Sequence, residues 1–411
     1  MKAVPVDVVH YEIVKLRVGD LRKGMFVCEL DRPWTETPFM FEGFEIETDA
    51  DVEALKLYCE HVFIDLGRTQ AVRVKIDKLP ANTLFQSKHP VSLEKEMAAA
   101  DATRQETSSL VKSFQDEIRF GNSVDVQLAK SAVSQCVASI LRNPDAMLLM
   151  AQMKEKSPHT SEHAFSVCIY SILLGRLCGL EAKQLEELGT CGLLHDIGNI
   201  EIPERILNKT TALTPEEFEV VKRHTTYGRD ILMTARNIYT GAVDVAYGHH
   251  ECPDGSGYPR GLTEQQINQN CQIVSVVDKY TAITRNTAYR SAHNHLDAVN
   301  ILSMLADNNK INKPLCASFI SYLGFYPPGT IVELSSGEVA IVLKSNVKNR
   351  MRPQVLVVMD ADKHPAQQVV DLATAAVDAK GKPYKIKMVH LPGYLGIDLN
   401  KHQSALINAY E

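Results

Sequence analysis

Between Val124 and about Gly324, histidines and aspartates occupy positions that helical periodicity reserves for apolar side chains. His163 lies within EHAFSVCIYSILL, and His195 and Asp196 close LEELGTCGLLHD. His224 follows FEVVKR one turn past Val221, and His249 and His250 follow GAVDVAYG. Asp278 falls one turn after Val274 in IVSVVDKYTAI. Any fold of this chain must therefore place titratable groups on or beside the buried faces of five segments. Burying one unpaired carboxylate costs several kcal/mol, roughly, unless a cation meets it. A lone histidine on an apolar face is ordinarily a satisfied core residue. Five imidazoles and two carboxylates together have no such explanation, and they form a ligand set rich enough for two metal ions, with Asp196 as the natural bridge.

The rest of the chain bounds what surrounds this constellation. A length of 411 residues calls for two or three units. Residues 1–85 mix short strands (KLRVGDLRKGMFVCEL, CEHVFIDL and residues 72–76) with a helix at DADVEALKLYC, an α+β module. PANTLFQSKHP carries the turn residues of a boundary, and 86–123 reads as a charged connecting helix. Residues 124–325 are helical. TPEEFEVVKRH illustrates the pattern: Thr214 caps, Pro215 takes the first helical position, Glu217 completes a capping box, and Phe218 and Val221 mark a buried face. From 326 to 411 the pattern turns to β alternation, with TIVELSSGEVAIVLKS as a hairpin and QVLVVMD as a third strand.

A net charge of −6 gives no general affinity for a nucleic acid polymer or an anionic membrane. No apolar run is long enough to cross a bilayer, and the N-terminus lacks a secretion signal. The nine cysteines are scattered without a CxxC pair, which reads as a reduced, cytoplasmic protein. Nitrogen and carboxylate ligands without thiolate suit Fe, Mn or Zn, and a bridging carboxylate favours Fe or Mn. Cys191 and Cys252 read as packing residues. Directly after His249 and His250 comes ECPDGSGYP (251–259), whose two glycines and two prolines specify a shaped loop beside the ligands.

HDIGN, KRHTTYG, HHECPDGSGYP and VSVVDKYTAIT, in this order and spacing, resemble the HD-GYP phosphodiesterases, a subgroup of the HD metal-dependent phosphohydrolases. The likeness covers about half the chain, and its flanking segments are similar to those around this domain in a common bacterial architecture. It implies a mainly α fold: an HD-type helical bundle with a small α+β N-terminal domain and a C-terminal β-rich appendage. It implies two divalent metal ions, one held by His163, His195, Asp196 and Asp278, the other by Asp196, His224, His249 and His250. The substrate implied is a cyclic dinucleotide, cyclic di-GMP or 3′,3′-cyclic GMP-AMP, hydrolysed to a linear dinucleotide and on to mononucleotides. Asp196 and His195 are the expected catalytic pair, with Lys209, Tyr258, Arg290 and Asn199 at the substrate. The resemblance also suggests contact of the GYP loop with diguanylate cyclase domains, and it leaves a homodimer open.

Three departures from the family pattern touch the substrate side. Asn199 stands where the family usually has lysine, Thr281 replaces a second aspartate, and Thr287 replaces an arginine while Arg290 is kept. His159 occupies the place of a glutamate that helps hold a third metal in some members, so two metals are expected. Every inferred ligand is retained, which favours an enzyme over a metal-retaining receptor or interaction module. A nucleotidase acting on mononucleotides is disfavoured by the GYP loop.

Overall fold

The computed structural model describes residues 13–21, 23–32, 37, 39, 44–46, 48–65, 91–152, 160–285, 292–344, 346, 351–374 and 384–402. The expected strand at 72–76 and the boundary segment 80–90 lie outside the described residues. The chain divides into two compact units, Met1–Ser87 with Asn346–Arg350, and Lys88–Ser345 with Met351–Glu411.

In the first unit, β1 (Ile13–Arg17), β2 (Phe26–Leu30), β3 (Phe44–Glu45) and β4 (His61–Asp65) form an antiparallel sheet of order β1-β4-β2-β3. Helix α1 (Asp49–Tyr58) starts at a capping box in which Thr48 and Asp51 satisfy each other's backbone N–H. Val27, Ile46, Leu55, Val62 and Ile64 are buried in a core of this unit's own.

The second unit is helical, with a β appendage. The segment read as a connection, α2 (Leu93–Arg119), is a packed layer: Met97, Ala100, Val111 and Phe114 are buried. Its Glu96 carboxylate accepts hydrogen bonds from Ser139 Oγ and Arg142 of α3 (Val126–Arg142), all at 2.7 Å. A buried carboxylate meets a cation here, as its desolvation requires. After α4 (Pro144–Gln152) comes α5 (Thr160–Leu177), apolar almost all round and hence enclosed by its neighbours. α6 (Ala182–Leu194), α7 (Glu204–Leu207), α8 (Pro215–Lys222), α9 (His224–Thr234), α10 (Thr240–Gly248) and α11 (Gln269–Ile283) follow. The unit's helices end with α12 (His295–Asp307) and α13 (Lys313–Leu323).

The C-terminal sheet has the order β8-β7-β6-β5-β9, built from β5 (Ile331–Leu334), β6 (Val339–Lys344), β7 (Gln354–Met359), β8 (Pro365–Asp371) and β9 (Ile386–His390). Gly337, at φ +94°, makes the turn between β5 and β6 that the Ser-Ser-Gly stretch predicts. Among the described residues no helix is long and apolar enough to cross a membrane. None of the nine cysteines is in a disulfide.

Candidate metal centre

Five short pieces of backbone deliver the seven side chains. His163 lies in the first turns of α5, His195 caps the C-terminus of α6, and Asp196 opens the 3-10 turn Ile197–Glu201. His224 begins α9, His249 and His250 follow α10, and Asp278 lies in α11. The turn after Asp196 comes so close to α9 that a Cβ on Gly198 would overlap the His224 carbonyl oxygen and the Gly228 amide nitrogen. Glycine there lets Asp196 and His224 meet.

The candidate ligand atoms fall into two sets sharing one carboxylate. Asp196 Oδ1 lies 3.4 Å from His224 Nε2 and 3.7 Å from His249 Nε2. Its Oδ2 lies 3.4 Å from His195 Nε2 and 3.7 Å from His163 Nε2. Asp278 Oδ1 closes the second set, 3.1 Å from His163 Nε2 and 3.6 Å from His195 Nε2. His250 joins the first, its ring centroid 4.1 Å from that of His249.

Protonation makes the arrangement a cation's. Nδ1 of His195 faces Gly192 O at 2.8 Å, Nδ1 of His224 faces Val221 O at 2.6 Å, and Nδ1 of His249 faces Val245 O at 2.9 Å. A carbonyl oxygen only accepts, so each Nδ1 carries a proton, and a ring that ligates metal does so through an inward-turned Nε2 lone pair. Nε2 of His224 and Nε2 of His249 then stand 3.4 Å apart, lone pair to lone pair, and Nε2 of His195 is buried with no hydrogen-bond partner. One cation in each set would resolve all three. The donor set, nitrogen and carboxylate oxygen within 4.8 Å of one another, fits divalent metal.

The electrostatics agree. Burial works against ionisation of Asp196, but His195, His249 and His224 hold its carboxyl well below the usual range. Burial likewise opposes ionisation of Asp278, which His163 and His195 hold well below that range. His250 is pushed well down by burial and by His249. Burial would lower His195 too, yet Asp196 and Asp278 raise it to about 10, so without metal this ring is where a proton collects.

The loop after His250 is tied to the ligands by Glu251, whose side chain is wholly buried. Its two oxygens accept hydrogen bonds from the backbone N–H groups of Arg260 (2.7 Å) and Leu262 (2.8 Å). Lys310 closes the outside of the loop on Asp254 at 2.7 Å. Tyr258 is thereby laid on His250, ring centroids 4.8 Å apart and planes 29° from parallel.

Residues 148–314 match the family model of the HD domain, 13–129 that of a domain of unknown function (DUF3391), and 331–376 that of a KOW domain associated with HD domain. A cyclic di-GMP phosphodiesterase of Pseudomonas aeruginosa is 34% identical over 374 residues, 88% of this chain and 89% of that protein. The chain belongs to the HD-GYP family. A cyclic di-GMP phosphodiesterase of Thermotoga maritima is 43% identical over 123 residues, 29% of this chain and 33% of that one. A 3′3′-cGAMP-specific phosphodiesterase of Vibrio cholerae is 33% identical over 159 residues, 38% of this chain and 36% of its own. Among solved structures, an HDG"Y"P protein from Bdellovibrio bacteriovorus aligns with a TM-score of 0.47 at 17% identity, over 76% of this chain and 99% of that one.

The side chains expected to set this HD-GYP chain apart at the substrate are placed unequally. Asn199 is half-buried in the 3-10 turn beside Asp196. Lys209 donates to Glu217 Oε2, the carboxylate that also caps α8. Thr281 turns its hydroxyl back onto Val277 O and Asp278 O. Arg290, Thr287 and His159 lie outside the described residues. One expectation is corrected: α8 has no buried side chain, and Phe218 is 44% exposed. Its ring packs edge-on against Tyr258 rather than into a core. Two residues escaped the sequence reading. Glu251 was legible only as part of a motif, and Lys279, half-buried with its Nζ on Ser275 Oγ at 2.8 Å, sits directly beside Asp278.

Proposed function

We propose that this chain is a two-metal phosphodiesterase that hydrolyses a cyclic dinucleotide, cyclic di-GMP or 3′,3′-cyclic GMP-AMP, to a linear dinucleotide and further to mononucleotides. One observation carries the reading: a single carboxylate, Asp196, presents one oxygen to His224 and His249 and the other to His163 and His195. One metal is assigned to His163, His195, Asp196 and Asp278, the other to Asp196, His224, His249 and His250. Imidazole and carboxylate ligands with a bridge favour Fe or Mn, and no cysteine enters either ligand cluster.

Two divalent ions held there would supply positive charge to the phosphodiester oxygens and lower the pKa of a bound water. The chain's own residues do the rest. Asp196 spaces the two positions, and the three carbonyl-bound Nδ1–H groups fix ring orientation before substrate arrives. Tyr258, over His250, closes one side of the site.

The deciding experiment is a product assay on anaerobically purified protein loaded with Mn²⁺ or Fe²⁺, given each cyclic dinucleotide separately. Linear or mononucleotide product that disappears in Asp196→Ala supports the enzyme and ranks its substrates. Intact nucleotide beside a full two-metal load would make the chain a receptor, with Asn199 as the first residue to revert to lysine.

A further inference from the structure

The ligands are not equally covered, and their order locates the way in. The side chains of His195 and His249 are 0% exposed, Asp278 is 9% exposed and Asp196 20% exposed. His250 is also half-buried rather than buried. Asp196 and His250 are therefore the most exposed of the seven. Tyr258 lies on His250, and the next group outward is Phe218, its ring centroid 6.3 Å from that of Tyr258 at 81°. Lys222 Nζ sits 5.1 Å from the Phe218 centroid and 5.6 Å from the Tyr258 centroid, held from behind by Glu219 at 2.6 Å.

Nothing in the fold requires a phenylalanine there. α8 buries no side chain, and leaving a large apolar ring partly in water forgoes part of the roughly 1.5–3 kcal/mol its full burial would contribute. Single exposed apolar residues are common on any surface. This one is braced on a second ring, flanked by an ammonium, and two ring contacts from a cluster that takes phosphate. Aromatic faces beside a cation are how proteins hold an unpaired base next to its phosphate.

We infer that Phe218, braced by Tyr258 and flanked by Lys222, is a stacking platform for one nucleobase of the cyclic dinucleotide whose phosphate lies at the ligand cluster. The inference rests on the function proposed above. It places the base at the rim of the site and assigns Lys222 to the negative charge that accompanies it.

The test compares wild type, Phe218→Leu, Phe218→Trp and Lys222→Gln, all Mn²⁺-loaded, by steady-state kinetics and by equilibrium binding of cyclic di-GMP. Loss of the stacked ring should raise KM and Kd about tenfold or more in Phe218→Leu while leaving kcat within about twofold. Tryptophan should restore both, and Lys222→Gln should flatten the dependence of Kd on ionic strength. Equal KM and Kd in wild type and Phe218→Leu would overturn the platform, as would a tryptophan variant no better than leucine. An unchanged ionic-strength slope would remove Lys222 from it. A wild type that binds without cleaving sinks the enzymatic reading alone, because Kd then decides the platform. A metal-loaded wild type that does not bind sinks both.

Discussion

Nε2 of His163 and Oδ1 of Asp278 stand 3.1 Å apart although 115 residues separate them in the chain. The contact belongs to one ligand set and not the other, so Asp278→Ala should disable one metal position and spare its neighbour. Metal content, measured by atomic emission on dialysed protein, should fall from about two ions per chain to about one, with activity down about a thousandfold. Retention of both ions would remove Asp278 from the ligand set.

Metal uptake should release protons. His195 is raised to about 10 by Asp196 and Asp278 against the effect of its burial, so near neutral pH the metal-free site carries a proton that a ligating Nε2 cannot keep. Calorimetric titration in two buffers of different ionisation heat should show about one proton released per chain or more, and metal affinity should weaken as pH falls. Identical heats in the two buffers would contradict this.

His295 sets a pH window for folding stability. Its Nδ1 meets the Tyr280 hydroxyl at 2.9 Å and its Nε2 the Gly324 carbonyl at 2.9 Å, and burial lowers its pKa from 6.5 to about 4. The folded state thus favours the neutral ring. Its contribution is complete above pH 6.5, declines as pH falls from there to about 4, and is constant below. The loss amounts to about 3 kcal/mol. Denaturant unfolding of wild type and His295→Gln across pH 4–7 should show the steeper decline in wild type, and parallel profiles would refute the assignment.

Gly198→Ala should be severely destabilising. The added Cβ meets backbone, the His224 carbonyl and the Gly228 amide, which cannot rotate aside. A loss of about 3 kcal/mol or more is expected, read as a lower Tm, together with reduced metal content because His224 is displaced. A variant with wild-type Tm and full metal load would show that α9 yields cheaply.

The cluster was legible in the sequence because titratable side chains break helical periodicity: six of the seven fall into two ligand-like groups sharing Asp196, and Asp278 lies 3.1 Å from His163. Phe218 was misread for the same reason: periodicity finds an apolar stripe without saying whether a core or a neighbouring loop receives it. Lys279 was not legible because a lysine inside a helix ordinarily points to solvent, and nothing in the sequence shows its Nζ turned onto Ser275. Thr281 was legible as a departure from the family pattern, but the turn of its hydroxyl onto its own helix backbone was not, since that bond leaves no mark in the sequence. In the C-terminal sheet, Pro365–Asp371 and Ile386–His390 carry mixed, half-exposed faces, so only the three more apolar strands announced themselves.

Glu251 follows the two histidines in sequence but spends both oxygens on the loop. Metal capture and the shape of the entrance are therefore separable by one residue. A descendant that lost this carboxylate would keep its imidazoles and its ions while Tyr258 drifted from its seat. Turnover would decay in such a lineage through the entrance alone, while metal content stayed intact.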